Sequence, residues 1–191
     1  MTQRLERRLT LPPTAVLAAA CAGVIGEWHR LEPPLEWDAA VAGFPHTEDW
    51  LGGVSRLALI NCFQWHLEDE CRARYDETAR LAALKHDIDD SNARRVASID
   101  AIDEQLAREL AGVSVDRNEP VALVTPGNLL DRISILELKR YHAAPGGHAA
   151  AIVLEQLGDA CDGLERLVAD LASGRQRMKL YRTIKLYGTS D

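Results

Sequence analysis

Apolar residues recur every three to four positions along most of this chain, the period of a helix with one buried face. The pattern predicts five helices, over 14–31, 54–74, 77–111, 126–142 and 149–173. Between them lie breakers. Pro33, Pro34, Pro45, Gly52 and Gly53 mark 32–53 as mostly loop, and Gly112 ends the third helix. Residues 113–125 form a connector with a short apolar run, Val121 to Val124. Thr125-Pro126 has the form of an N-cap followed by a first-turn proline, and Gly174 stands where a C-cap glycine belongs. The expected fold is all-α: one irregular helical bundle of about five helices over 14–174, a flexible N-terminus over 1–13, and a basic tail over 175–191 packed on or near the site.

The long third helix carries the most informative irregularity. Leu81, Leu84, Ile88, Ile99, Ile102, Leu106 and Leu110 fall on one line at helical spacing. Asn92 and Arg95 fall in the same stripe, in the gap between Ile88 and Ile99. A buried unpaired charge costs several kcal/mol, so Arg95 must meet an anion. Two readings follow: a buried ion pair that sets helix register, or a ligand cavity that interrupts the core.

Other segments offer matching groups. Asn61, Trp65, Glu68 and Arg72 share one column of the 54–74 helix, with Asp69 beside it. This is either a surface charge column or one wall of a site. His66 points away from that column and, taken alone, reads as a surface or packing histidine. Asp131 shares a face with Ile135 and Leu138, so it needs a cation from Lys85 or Arg95, unless the nearby helix N-terminus suffices.

Composition and charge narrow the function classes. The chain has 191 residues and a net charge of −7, with pI ≈ 5.4. Such a balance argues against nucleic acid as the main partner. The longest apolar run, Ala15 to Ile25, is about half of a membrane span, so neither a span nor a secretion signal is expected, and the expected location is cytoplasmic. Four cysteines without CxxC spacing read as reduced thiols. The tail alone is basic: Arg175, Arg177, Lys179, Arg182 and Lys185, interleaved with Tyr181 and Tyr187. It either docks on the acidic body or grips a phosphate.

These segments together resemble the DUF4254 family of bacterial proteins. Asn61 to Arg72 is similar to its "N…LWHxEDxxR" block, and Lys85 to Asp103, with Asp89, Asn92 and Arg95, to a second. Thr125 to Lys139 resembles its "TPGxxxDRxSILxLK" block, Gly174 to Tyr187 its C-terminal signature, and Trp28-His29 also fits. The resemblance implies a setting near glycosyltransferases for cell-surface polysaccharide. It names no reaction.

The residues themselves suggest a phosphorylated small molecule, such as a nucleotide or sugar nucleotide. Arg72, Lys85, Arg95, Arg132, Lys179, Arg182 and Lys185 are the candidate phosphate-binding groups. Glu68 and Asp69 are the candidate catalytic acids, and with Asp89 the candidate ligands for Mg²⁺. Asn61, Trp65, His66, Asn92 and Asp131 would line the site. The enzyme expected on this reading is a Mg-dependent hydrolase or transferase in cell-surface glycan metabolism. The alternative is a non-catalytic accessory partner of a glycosyltransferase, with the same charges forming a register network.

Overall fold

The computed structural model describes residues 9–45, 47–74 and 78–181. The described residues form six helices: α1 (Thr14–Leu31), α2 (Trp37–Ala42), α3 (Trp50–Ala73), α4 (Thr78–Leu110), α5 (Pro126–His142) and α6 (His148–Ser173). None is long and apolar enough to cross a membrane. The bundle is all-α, as the periodicity predicts. α3 packs against α1, α4 and α5, and α6 covers α5.

Two elements differ from expectation. α2 is an extra short helix inside the segment read as loop. α3 begins four residues early, because the Asp49 carboxylate accepts the Gly52 N–H at 2.9 Å and caps it. Gly52 and Gly53 therefore sit within a helix rather than breaking the chain. The Val121 run forms an isolated parallel bridge to Arg177, so the basic tail enters at the N-terminal side of α5. Lys179 follows that bridge, whereas Arg182, Lys185 and Tyr187 lie outside the described residues. Of the segment expected to be a flexible N-terminus, residues 9–13 are described, and Thr10 there donates its N–H to Glu109 at 2.7 Å.

The Thr-Pro-Gly start of α5 has a physical account at each position. The Thr125 side chain accepts the Asn128 N–H at 3.2 Å, and Pro126 follows as the first helical residue. Gly127 donates its N–H to Asp103 of α4 at 2.7 Å. A Cβ on Gly127 would lie 2.7 Å from the Ile99 carbonyl oxygen and 2.9 Å from the Asp103 carboxylate. Only glycine lets α5 meet α4 so closely. Gly127→Ala should therefore cost about 1–3 kcal/mol, read as a lower urea midpoint at constant m-value. An unchanged midpoint would mean that this approach is not tight.

The core divides in two. Leu17, Cys21, Val54, Leu57, Ile102, Leu106, Leu130 and Ile133 belong to one apolar cluster. Ile25, Trp28, Phe44, Leu59, Phe63, Leu67, Leu84 and Leu138 belong to the other. Along α4, the break in the stripe around Asn92 and Arg95 falls between them.

Candidate metal centre

At that break the structure shows an ion pair. Arg95 grips Asp131 with two nitrogens, Nε lying 2.7 Å from Oδ1. Asn61 donates to Asp131 at 3.0 Å and also to Ser134. Asp131, Asn61 and Ser134 are buried and Arg95 half-buried. This network ties α3, α4 and α5 together at one register. Lys85 is not the cation for Asp131; it reaches Asp89 on an exposed face of α4. Asn92 is half-buried on α4, and Arg132 is exposed on α5.

One end of the bundle gathers a different set. Arg72 binds Asp69 at 2.5 Å and approaches Glu68 at 4.0 Å, all on α3. Asp89, the third proposed Mg²⁺ ligand, is engaged with Lys85 instead. Among the described residues, the group of three ligating side chains within mutual reach is His29, His66 and His142. Their nitrogens all lie within 4.8 Å of one another.

Three helices supply this group. His29 lies in the last turn of α1, His66 in α3, and His142 ends α5. The rings interlock. Trp28 of α1 stacks on His66 of α3, with centroids 5.5 Å apart and planes at 10°. Trp65 of α3 stacks on His142 of α5 at 5.2 Å and 6°. Tyr141 of α5 stacks on His29 of α1 at 4.1 Å and 24°. Each helix thus offers one imidazole and one aromatic ring, and the ring braces the next helix's imidazole. The brace fixes ring planes without consuming ring nitrogens.

The nitrogens are disposed as ligands. His29 Nδ1 lies 2.7 Å from the Ile25 carbonyl oxygen, so Nδ1 carries the proton and Nε2 keeps its lone pair. His29 Nε2 and His142 Nε2 share a hydrogen bond at 3.2 Å, a separation that is also close to that of two ligands on one ion. Two nitrogens bound to one tetrahedral zinc ion at ~2.05 Å would be about 3.3 Å apart. His66 Nε2 is buried and has no hydrogen-bond partner. Such a group costs free energy unless something binds it. α1 and α5 both point their C-terminal ends toward the cluster, where the helix dipoles favour a cation.

Burial, and then His29 and His142, lower the pKa of His66, while Asp69 opposes them. Burial and His29 lower that of His142, again against Asp69. Both imidazoles are thereby kept neutral and able to coordinate. A lowered folded-state pKa means that the unfolded chain binds more protons below about 6.5. Stability should then fall as pH drops from 7 toward 5, and His66→Asn should flatten part of that slope in melting curves. A slope unchanged in the variant would remove His66 from this account.

The cysteines offer no competing centre. All four are free, and burial raises the Cys62 thiol to about 12, so it is not a ready nucleophile.

Helical periodicity alone does not reveal this site: it marks His66 only as a lining residue and singles out neither His29 nor His142. The available signal was the dipeptide: Trp28-His29, Trp65-His66 and Tyr141-His142 each place an aromatic before a histidine. With ten aromatic residues and six histidines in 191, chance gives about 0.3 such pairs.

Comparison with known families finds that a family model described as "Protein of unknown function (DUF4254)" matches residues 52–151, just over half of the chain. That span includes His66 and His142. No curated protein and no solved structure matches the chain.

Proposed function

The chain belongs to the DUF4254 family, whose description assigns no function, and from its own side chains we propose that it binds a first-row divalent transition metal through His29, His66 and His142. The observation that carries this reading is the interlocked ring of three imidazoles, with the buried Nε2 of His66 unpartnered. Neutral imidazoles suit ions of the zinc class better than Mg²⁺, which prefers oxygen ligands.

Three protein ligands leave coordination positions open, the hallmark of a catalytic rather than a structural site. A bound ion of this class supplies Lewis acidity and brings a coordinated water toward a pKa near 7. Asp69 lies one turn beyond His66, close enough to act electrostatically on His66 and His142. With a metal bound, Asp69 would be the candidate to take a proton from such a water, with Arg72 holding its carboxylate. The reaction class that fits is metal-dependent hydrolysis or group transfer. On this reading Asp69 takes the acid–base role, and the metal ligands are the three histidines rather than Glu68, Asp69 and Asp89.

A Co²⁺ titration of the full chain at pH 7.5 tests the proposal. The visible ligand-field spectrum should saturate at one ion per chain. Asp69→Asn should retain that spectrum, and His29→Ala should lose it. A titration that never saturates, or one indifferent to His29→Ala, would overturn the metal reading.

A further inference from the structure

The seam between α3 and α4 holds two more buried polar atoms without a hydrogen-bond partner, Oε1 of Gln64 and Oγ of Ser91. They lie at one level. Leu57 of α3 clusters with Ile102 and Leu106 of α4, and Leu67 with Leu84 and Ile88, so the two helices run antiparallel. Gly53 of α3 faces Ile102, whose Cγ1 is 3.8 Å from where a Cβ on the glycine would stand. Gln64 lies eleven residues on from Gly53, and Ser91 eleven residues back from Ile102. Eleven residues are close to three full turns, so both side chains enter the seam opposite each other. We propose that Gln64 and Ser91 together bind one buried water molecule, which completes a polar layer between the two apolar clusters. The site is separate from the histidine centre and does not depend on a metal there.

The chemistry of the pair calls for a hydrogen-bond donor. Gln64 Nε2 donates to the Glu68 carboxylate at 3.4 Å, which leaves Oε1 as the inward-facing acceptor. The opposite amide orientation would set Oε1 against that carboxylate. Ser91 is 0% exposed, so its hydroxyl has no bulk water to turn to. A buried oxygen left unpaired carries its full desolvation cost, and protein interiors meet such groups with ordered water. A water molecule gives one hydrogen to Gln64 Oε1 and pairs with the Ser91 hydroxyl as donor or acceptor. An ion in its place would need a counter-charge, and the nearby charges of Arg95 and Asp131 are already paired with each other.

The layer also fixes how α3 and α4 align. Ile60 and Leu67 lie one turn to either side of Gln64 on α3, and Ile88 lies one turn before Ser91 on α4. A one-turn slide that set Gln64 against Ile88 would leave its Oε1 on apolar surface, away from Ser91. A single polar layer in an apolar helix seam specifies register in this way. The pair of Arg95 and Asp131 fixes α4 against α5, and the wet layer does the same for α4 against α3.

Two measurements on the full chain test the site. A high-resolution crystal structure should show a density peak at hydrogen-bonding distance, about 2.6–3.2 Å, from both Gln64 Oε1 and Ser91 Oγ. Urea midpoints for Gln64→Met, Ser91→Ala and the double variant should not be additive. Each single change leaves the water short of a partner and the other oxygen poorly satisfied. The double change removes both needs at once, so its loss should fall clearly short of the two single losses together. The proposal is overturned by a map with no peak between the two oxygens, by a direct hydrogen bond between Ser91 and the Gln64 amide, or by additive losses.

Discussion

Zinc should raise the melting temperature of the native chain, and His66→Ala should abolish that rise. At a free concentration 100 times the Kd, one bound ion adds about 2.7 kcal/mol of stability. For a domain of this size that corresponds to roughly 5–10 °C. His66 is the decisive position because its Nε2 is buried without a partner. The ion satisfies a nitrogen that otherwise carries an uncompensated desolvation cost. Even residues that only hydrogen-bond to a metal's ligands typically cost 10–100-fold in affinity when removed, and losing one of three ligands should exceed that. His29→Ala and His142→Ala should behave alike. His86→Ala is the control, since His86 sits on the exposed face of α4 beside Asp90. A zinc-dependent rise of equal size in His66→Ala would disprove the assignment. The comparison is between each variant with and without zinc, so a general loss of stability does not obscure it.

Arg95→Met should cost about 3 kcal/mol without weakening zinc binding. The substitution leaves the Asp131 carboxylate buried, with Asn61 still donating to it. Breaking one side of such a pair is far more costly than replacing both sides. The double variant Arg95→Met/Asp131→Leu should accordingly recover most of the loss. Urea midpoints for the native, single and double variants measure this directly. If Arg95→Met were neutral in stability yet impaired ligand binding, the network would be a binding site and not a register device. The double variant separates the two roles, because a register device tolerates apolar replacement and a binding site does not.

Much of the fold was legible from periodicity. Five of the six helices follow from the apolar stripes and the punctuation of Thr125-Pro126, Gly112 and Gly174. α2 was not legible, because six residues between proline-rich turns are too short to show a period. The early start of α3 was hidden by Gly52 and Gly53, which read as breakers until the Asp49 cap is seen. Arg95 was correctly marked as needing an anion. The sequence offers Lys85 or Arg95 as the cation for Asp131; that it is Arg95 depends on the register between α4 and α5, which a single helix pattern does not contain.

The histidine centre illustrates a different limit. Helical spacing relates residues within one element, and here each element contributes one ligand. His66 by itself points away from the polar column of α3 and looks like a packing residue. Its meaning comes from His29 and His142, which are 37 and 76 residues distant. Only the repeated aromatic-histidine pair links the three positions along the chain. That pair makes physical sense once the helices cross, since each helix must present both a ligand and a brace.

The most direct test is anomalous scattering at the zinc edge from crystals of the full chain grown with zinc. A zinc ion held by the three histidines should give one strong peak about 2.0–2.1 Å from a ring nitrogen of each of His29, His66 and His142. A map with no peak between these imidazoles, or with zinc only at surface carboxylates such as Asp89 and Glu104, would contradict it.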